Sequence, residues 1–341
     1  MIKSTSIRDV ANACGVAIST VSKALNNKPG VSSETRELIL KTAKKFHYIP
    51  DAYARGLVQG KTDTIGFLID RTHSNLFSNP FYSLILDGVD NELGKQGYNL
   101  LISSHSDYHH KRSLPRMIQE KRVDGVIIVG KVHERIIDEL LRMDFPFVLV
   151  DNIYKSAKVK CVVTDNINGA IQAVNHLVKL GHTRIGMLKG ENGDISLKER
   201  YEGYLQALKS NSLNIYREYI IPGFNTPEGG YEAMQKLLIS KEVPTAIFTS
   251  NDAMAIGALK AMREKGLRVP QDISIIGFDD IRESAHTHPP LSSIRIEKEK
   301  MGKIGAKILI DIIKSKGGGK EIIVLKTNLV PRQSTAPPSK P

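Results

Sequence analysis

The feature that most constrains the fold is a recurrence of short apolar runs, each followed by a longer amphipathic stretch, from residue 63 onward. "TIGFLI", "YNLLIS", "DGVIIV" and "PFVLV" form a first series; "CVVT", "RIGML", "YII", "TAIFT" and "ISIIG" form a second. Runs without polar alternation have no solvated face, so they predict strands buried on both sides, the condition of a parallel sheet covered by crossover helices. Two series predict two doubly wound subdomains. After Pro289-Pro290 the chain reads "LSSIRI" and then a long amphipathic helix from about Glu297 to Lys316.

The first sixty residues follow another period. In "IRDVANACGVAISTVSKALN", Ile7, Val10 and Cys14 mark one helix face, and Val21, Ala24 and Leu25 mark a second. Ala11 is small enough for a close crossing and Gly15 suits the turn, so the pair predicts a helix-turn-helix. The second helix turns Ile18, Ser19, Ser22 and Lys23 outward. A helix fits the DNA major groove, where Ile18 can meet a thymine methyl, Ser19 a base edge or phosphate, and Lys23 guanine acceptors. Thr20 and Ser22 suit phosphate oxygens. The alternative is a helical hairpin within a bundle. "VSSETRELILKTAKKFHYIP" then predicts a third amphipathic helix, capped by Ser32 or Ser33 and stopped by Pro50. Residues 1–61 hold ten Lys and Arg against four Asp and Glu, half of the net +12 in under a fifth of the 341 residues. Such a basic module faces a polyanion.

From this head through "DAYARGLVQGKTDTIGFLI", "RVDGVIIV", "LGHTRIGML", "ERYEGYLQAL", "PTAIFTSNDAMAIGAL", "RVPQDISIIGFDDI", "PPLSSI" and "PRQST", the chain resembles the lactose/galactose-repressor family of transcriptional regulators. The resemblance implies a hinge helix around Ala54 and Leu57, with Leu57 and its dimer mate wedged into the minor groove. It also implies a body similar to periplasmic sugar-binding proteins, with the last helix returning to the first subdomain. The expected boundaries are 1–50 for the head and 51–62 for the hinge; 63–165 with 295–326 for the first subdomain; 166–294 with 327–334 for the second; and 335–341 for a flexible tail. Two positions depart from the family: Ala17 stands where a serine N-cap is usual, and Lys23 where arginine is usual.

Open α/β sheets bind ligands at the carboxyl ends of their strands. The candidates at strand exits are Asp70, Asp151, Asn152, Asn251, Asp252 and Asp279, with Phe81 and Tyr82 as an aromatic plate for a sugar ring. The resemblance singles out Arg200, Asp279, Asn251 and Asp151 as effector contacts, and puts Asn225, beside Phe224, near a position that is often aromatic. The alternative for Asp252 and Asp279 is to cap the following turn or helix. "DRTHSNLFSNPF" is longer than the corresponding loop of many relatives and is similar to that of some malto-oligosaccharide regulators; a tolerated surface insertion reads equally well.

Other signals carry no function. His105 and His109 lack a nearby third ligand, "SKGGGK" lacks P-loop spacing, and no catalytic motif is present, so no metal, cofactor or enzyme activity is expected. Two cysteines, a polar N-terminus and the lack of a long apolar run lead to the expectation of a cytoplasmic protein. The sequence therefore predicts a homodimeric regulator, most simply a repressor, of a pseudo-palindromic operator, controlled by a small molecule such as a sugar. The competing reading is a cytosolic sugar-binding or sugar-converting protein with a basic N-terminal module. The tail has no heptad, which argues against a tail-built tetramer.

Overall fold

The computed structural model describes residues 5–48, 61–69, 79–104, 114–154, 156, 159–191, 193–240, 242–315 and 322–339. The chain divides into two units, Met1–Asp63 and Thr64–Pro341.

In the first unit, α1 (Ile7–Cys14), α2 (Ile18–Leu25) and α3 (Ser33–Lys45) enclose a core of Val10, Ala11, Val21, Ala24, Ile39 and Ala43. Ser6 and Asp9 start α1 as a reciprocal capping box, the Ser6 N–H donating to Asp9 Oδ2 at 2.8 Å and the Asp9 N–H to Ser6 Oγ at 3.3 Å. Gly15 ends α1 with φ 64, a left-handed turn that a side chain would disfavour. Ser32 caps α3. Arg36 Nη1 and Nη2 donate to the carbonyls of Ala24 at 2.9 Å and Lys28 at 2.7 Å, binding the end of α2 to α3. Ala17 starts α2 in extended conformation without a side-chain cap.

The second unit holds two six-stranded sheets. Its elements run β1 (Thr64–Ile69), α4 (Pro80–Lys95), β2 (Asn99–Ser104), α5 (Arg116–Gln119), β3 (Gly125–Val129), α6 (Glu134–Arg142), β4 (Phe147–Val150) and β5 (Cys161–Thr164). They continue with α7 (Asn166–Lys179), β6 (Ile185–Lys189), α8 (Ile195–Ser210), β7 (Ile220–Pro222), α9 (Pro227–Leu238) and β8 (Ala246–Thr249). Last come α10 (Asp252–Glu264), β9 (Ser274–Asp279), β10 (Ser292–Arg295), α11 (Lys298–Ile313), β11 (Ile322–Leu325) and β12 (Asn328–Val330). The strand orders are β11-β5-β4-β3-β1-β2 and β12-β10-β9-β8-β6-β7.

The apolar runs form strands as expected, buried because helices cover both faces. Two further strands, β11 and β12, escaped the apolar pattern because they are short edge strands with half-exposed side chains. The second sheet is also not wholly parallel: β12 runs antiparallel to β10. The reason is the path of the chain. β11 runs parallel to β5 and passes into β12 through only Lys326 and Thr327, so the chain enters the second sheet from its carboxyl edge without a crossover helix.

The last helix does return to the first sheet, where α11 packs on α4, β3, β4 and β5. The backbones of α11 and α4 touch through glycines: a Cβ on Gly88 would lie 2.0 Å from the Glu299 carbonyl oxygen, and one on Gly302 2.0 Å from that of Ile85. The end of the chain corrects an expectation. Residues 335–339 are not a free tail. The His176 and His182 rings bond to Thr335 Oγ1 at 2.9 Å and to the Ala336 carbonyl at 2.8 Å, and the Ala336 N–H donates to Ser274 Oγ at 3.1 Å. Proline and serine in this stretch avoid helix, yet the Ala336 backbone and the Thr335 hydroxyl fasten it to the second subdomain.

Candidate ligand cleft and nucleic-acid face

The carboxyl ends of the two sheets face each other, and the groups they gather come from both. Asp151 leaves β4 with φ 56, and Asp279 and Asp280 leave β9 with φ 107 and 52. Left-handed backbone at a side-chain-bearing residue is costly, and aspartate is among the few that tolerate it.

Arg200, on α8, is the buried cation of the second subdomain. Its Nη1 donates to Asp279 Oδ1 at 2.9 Å and to the Ser250 carbonyl at 2.6 Å, and its Nε donates to Asn166 Oδ1 at 3.0 Å. The guanidinium carbon lies 3.9 Å from the centre of the Phe278 ring. A planar fork with one face on an aromatic ring has lost its freedom before any ligand arrives. Burial raises the Asp279 carboxyl above the usual carboxylate range, opposed by Arg200 and Lys298. The Lys298 ammonium donates to the backbone carbonyls of Asp279 and Asp280, and burial lowers its pKa.

Across the cleft, Asp151 Oδ1 accepts a hydrogen bond from Ser196 Oγ at 2.9 Å, joining the first subdomain to α8 of the second. Burial first, and the Asp194 charge next, raise the Asp151 pKa. Tyr82, near the start of α4, packs edge-on against Phe81 with ring centres 5.2 Å apart. Its phenol is pushed well above its ordinary pKa by burial and by Asp151, Asp194 and Asp279, so it stays a hydrogen-bond donor at neutral pH. Phe81 itself is a buried member of the core, so of the expected pair Tyr82 is the one beside these carboxylates.

The remaining strand-exit residues are occupied with the protein. Asn251 caps α10, its Oδ1 accepting from the Met254 N–H at 2.9 Å while its Nδ2 donates to the Asn225 carbonyl at 3.1 Å. Asn225, with φ 58, accepts the Glu191 N–H at 3.3 Å, and neighbouring Phe224 is exposed. Asn152 donates to the Gly130 carbonyl at 2.9 Å. Asp252 is fully buried and accepts from the Ile281 N–H at 2.9 Å, Ser284 Oγ at 2.7 Å and Ser293 Oγ at 2.6 Å. Burial and the Asp279 charge push its pKa up to about 7. It pins the loop after β9 and has no oxygen left for a ligand.

Sequence reasoning missed Ser196, Asp194, Asn166 and Ser250. Ser196 was within reach, since it stands one helical turn before Arg200 on the same face of α8. Asp70, Ala54, Leu57 and the His105–His109 pair lie outside the described residues.

On the head, Ile18, Ser19 and Lys23 are exposed along one side of α2, with Thr20 and Ser22 half-buried, while Val21 and Ala24 face the core. A three-helix head that turns a short apolar, hydroxyl and cationic face outward, on a chain whose body gathers polar groups between two facing sheets, defines a ligand-responsive DNA-binding regulator.

Comparison with known proteins gives the same class. The profile of bacterial regulatory proteins of the lacI family matches residues 6–51, and that of the periplasmic binding protein-like domain matches residues 174–335. The chain is 34% identical over 331 residues to the HTH-type transcriptional repressor PurR of Pasteurella multocida, covering 96% of this chain and 98% of that one. Among solved structures it is similar to a lac repressor dimer bound to operator and the anti-inducer ONPF, with TM-score 0.84 and 26% identity over 98% of this chain and 100% of that one. It is also similar to a transcriptional regulator CelR–cellobiose complex, with TM-score 0.75 and 29% identity over 97% and 99% of the two chains. The chain belongs to the lacI family of bacterial regulatory proteins. It is a DNA-binding transcriptional regulator with a small-molecule effector site between its two α/β subdomains, and it is not an enzyme. Among the described residues no group of three His, Cys, Asp or Glu is placed to hold a metal ion, and no described helix is long and apolar enough to cross a membrane.

Proposed function

We propose that this protein is a cytoplasmic homodimeric repressor that binds a pseudo-palindromic operator and is switched by a sugar in the cleft between its subdomains. The observation that carries the reading is the arrangement around α8, where Arg200 is fixed by Asp279 on one side and Ser196 reaches Asp151 of the facing subdomain on the other. Carboxylates, an immobilised guanidinium and the Tyr82 phenol are the donors and acceptors that sugar hydroxyls require. Solved relatives bound to cellobiose or ribose support a sugar over other small molecules. The longer loop after β1 leaves a malto-oligosaccharide among the sugars to test; the PurR-type relatives do not favour it. Asn225 and Asn251, held by their own hydrogen bonds, are offered as the nearby wall of the site, while Asp70 and Phe81 keep only the effector role that the sequence suggested for them. Residues 1–50, 51–62 and the two discontinuous subdomains then divide the work into reading, coupling and sensing.

On DNA, Ile18, Ser19 and Lys23 read base edges and Thr20 and Ser22 hold phosphates, while Ala54 and Leu57 form the hinge that enters the minor groove. The two-fold symmetry of a dimer is mirrored in a pseudo-palindromic operator. The effector acts only through different affinities for the open and closed arrangements of the cleft. The test is selection of operator from a random DNA library, followed by anisotropy titrations with and without a sugar panel. Enrichment of inverted repeats and a sugar-dependent affinity are expected; selected sequences without two-fold symmetry would overturn the dimeric reading. Leu57→Ala is expected to weaken operator binding while leaving sugar affinity intact.

A further inference from the structure

The chain passes from one sheet of the body to the other three times, after β5, after β10 and after β11. A change in the angle between the subdomains turns about these passages, because the covalent chain joins the sheets there. Two buried side chains stand at two of them.

Asn166 opens α7, just past the first passage. Its Nδ2 donates to the Thr164 carbonyl at the end of β5 at 3.2 Å, and to Glu199 Oε2 at 3.0 Å. Its Oδ1 accepts from Arg200 Nε, so one amide joins the end of a first-sheet strand to the guanidinium of the cleft. Lys298 opens α11, just past the second passage. Its ammonium donates back to the carbonyls of Asp279, Asp280 and Ile296, the last two at 3.2 Å and 3.3 Å. Because α11 packs on the first sheet, this side chain reaches from a first-subdomain helix to the strand exit that carries Asp279. The passages are also tied to one another. Thr164 Oγ1 donates to Met301 Sδ of α11 at 3.4 Å, and the Asp165 N–H donates to the Leu325 carbonyl at the end of β11 at 2.9 Å.

Stability alone does not account for Lys298. Among the described residues its ammonium bonds to no carboxylate, and the charges of Asp279, Asp252 and Asp280 favour it only from beyond hydrogen-bond reach. A buried cation held by carbonyls alone is less stabilising than a well-packed apolar side chain in its place. Such local conflicts are kept where a protein works.

We propose that Asn166 and Lys298 are positioning residues of the switch, tying the Arg200–Asp279 cluster to two of the three passages so that a ligand on the cluster alters the angle between the subdomains through them. Their bonds belong to the arrangement seen in this structure; the alternative arrangement draws the strand exit away from α11 and breaks them. Gly302 and Gly88 bring α11 and α4 backbone to backbone, so a shift at Lys298 reaches α4 as well. This assignment rests on the effector occupying that cluster.

Single-molecule energy transfer measures the angle without ligand or DNA. Arg135→Cys on α6 and Lys209→Cys on α8, both exposed, carry the dyes in a Cys14→Ser background, since Cys161 is buried. Full-length labelled chain is assembled with excess unlabelled chain, and the ratio of open to closed molecules is read. Lys298→Met loses charge-assisted bonds and is expected to change that ratio about tenfold or more. Asn166→Asp keeps the acceptor for Arg200, loses the donor to Thr164, and is expected to change it about fivefold. Lys298→Arg retains charge and donors and is expected to stay nearer to the parent. Asn166→Asp carries the test if Lys298→Met does not fold. A scaffold role lowers the melting temperature and leaves the ratio where it was, so an unchanged ratio in the folded variants overturns the proposal. A change in one variant alone overturns it for the other residue. Titration with sugars is read separately: no binding overturns the sugar reading above and does not move the ratio.

Discussion

Removing Asp279 tests more than ligand contact, because the structure makes it the counter-ion of a buried arginine. The side chains of Arg200 and Asp279 are only 4% and 10% exposed, and their contact is 2.9 Å. Breaking a buried pair by deleting one partner costs about 3–5 kcal/mol, since the other charge stays desolvated without compensation. Lys298 adds to this, as its ammonium lies against the Asp279 and Asp280 carbonyls and Asp279→Ala leaves it nearer to unbalanced positive charge. For a body of this size that cost corresponds to a fall of about 6–20 °C in melting temperature. The assay is a double-mutant cycle in the absence of effector, with Asp279→Ala, Arg200→Met and the double variant followed by circular dichroism. The double variant no longer buries an unpaired ion, so it is expected to melt above the sum of the two losses by a coupling of about 1–3 kcal/mol. Additive losses would falsify the idea that the pair acts as a unit. Effector titration of the same proteins then separates the roles: lost effector affinity in a protein that melts normally means direct ligand contact, whereas loss in step with melting means scaffold.

Further expectations follow from single sites. Asp252 holds its proton up to about pH 7 when folded, whereas an unfolded aspartate releases it near about 3.9. The folded state therefore binds more protons between these values, and this contribution to stability is full below the window and lost as pH rises through it. Melting temperatures across that range are expected to fall less steeply for Asp252→Asn than for the parent; an unchanged slope would remove Asp252 as the cause. Ala17→Ser supplies the missing cap of α2, and slower amide exchange in α2 is expected from a gain of about 0.5–2 kcal/mol. Lys23→Ala, if Lys23 reads a guanine, weakens operator binding by about 1–3 kcal/mol and relaxes preference at one base pair. A uniform loss across sequences, with a salt slope shallower by about 1, would assign Lys23 to phosphate instead.

The strand series, the three head helices and the outward face of α2 were legible in the sequence because each depends on local period and capping. Apolar runs such as "GVIIV" have no solvated register available, and Ser6, Gly15 and Ser32 set helix ends through bonds spanning only a few residues. The strand exits were legible for the same reason, since Asp151 and Asp279 end apolar runs. What the exits do was decided only by tertiary contact. Asp252 and Asp279 look alike in sequence, each at a strand exit in the second series. One meets Ser284, Ser293 and a backbone amide and becomes a structural pin; the other meets Arg200, 79 positions away in the chain, and faces the cleft. The path of β12, the docking of residues 335–339 and the glycine crossing of α4 and α11 likewise join segments far apart in sequence. No local pattern encodes such pairings, because their energy exists only once burial has brought both partners out of water.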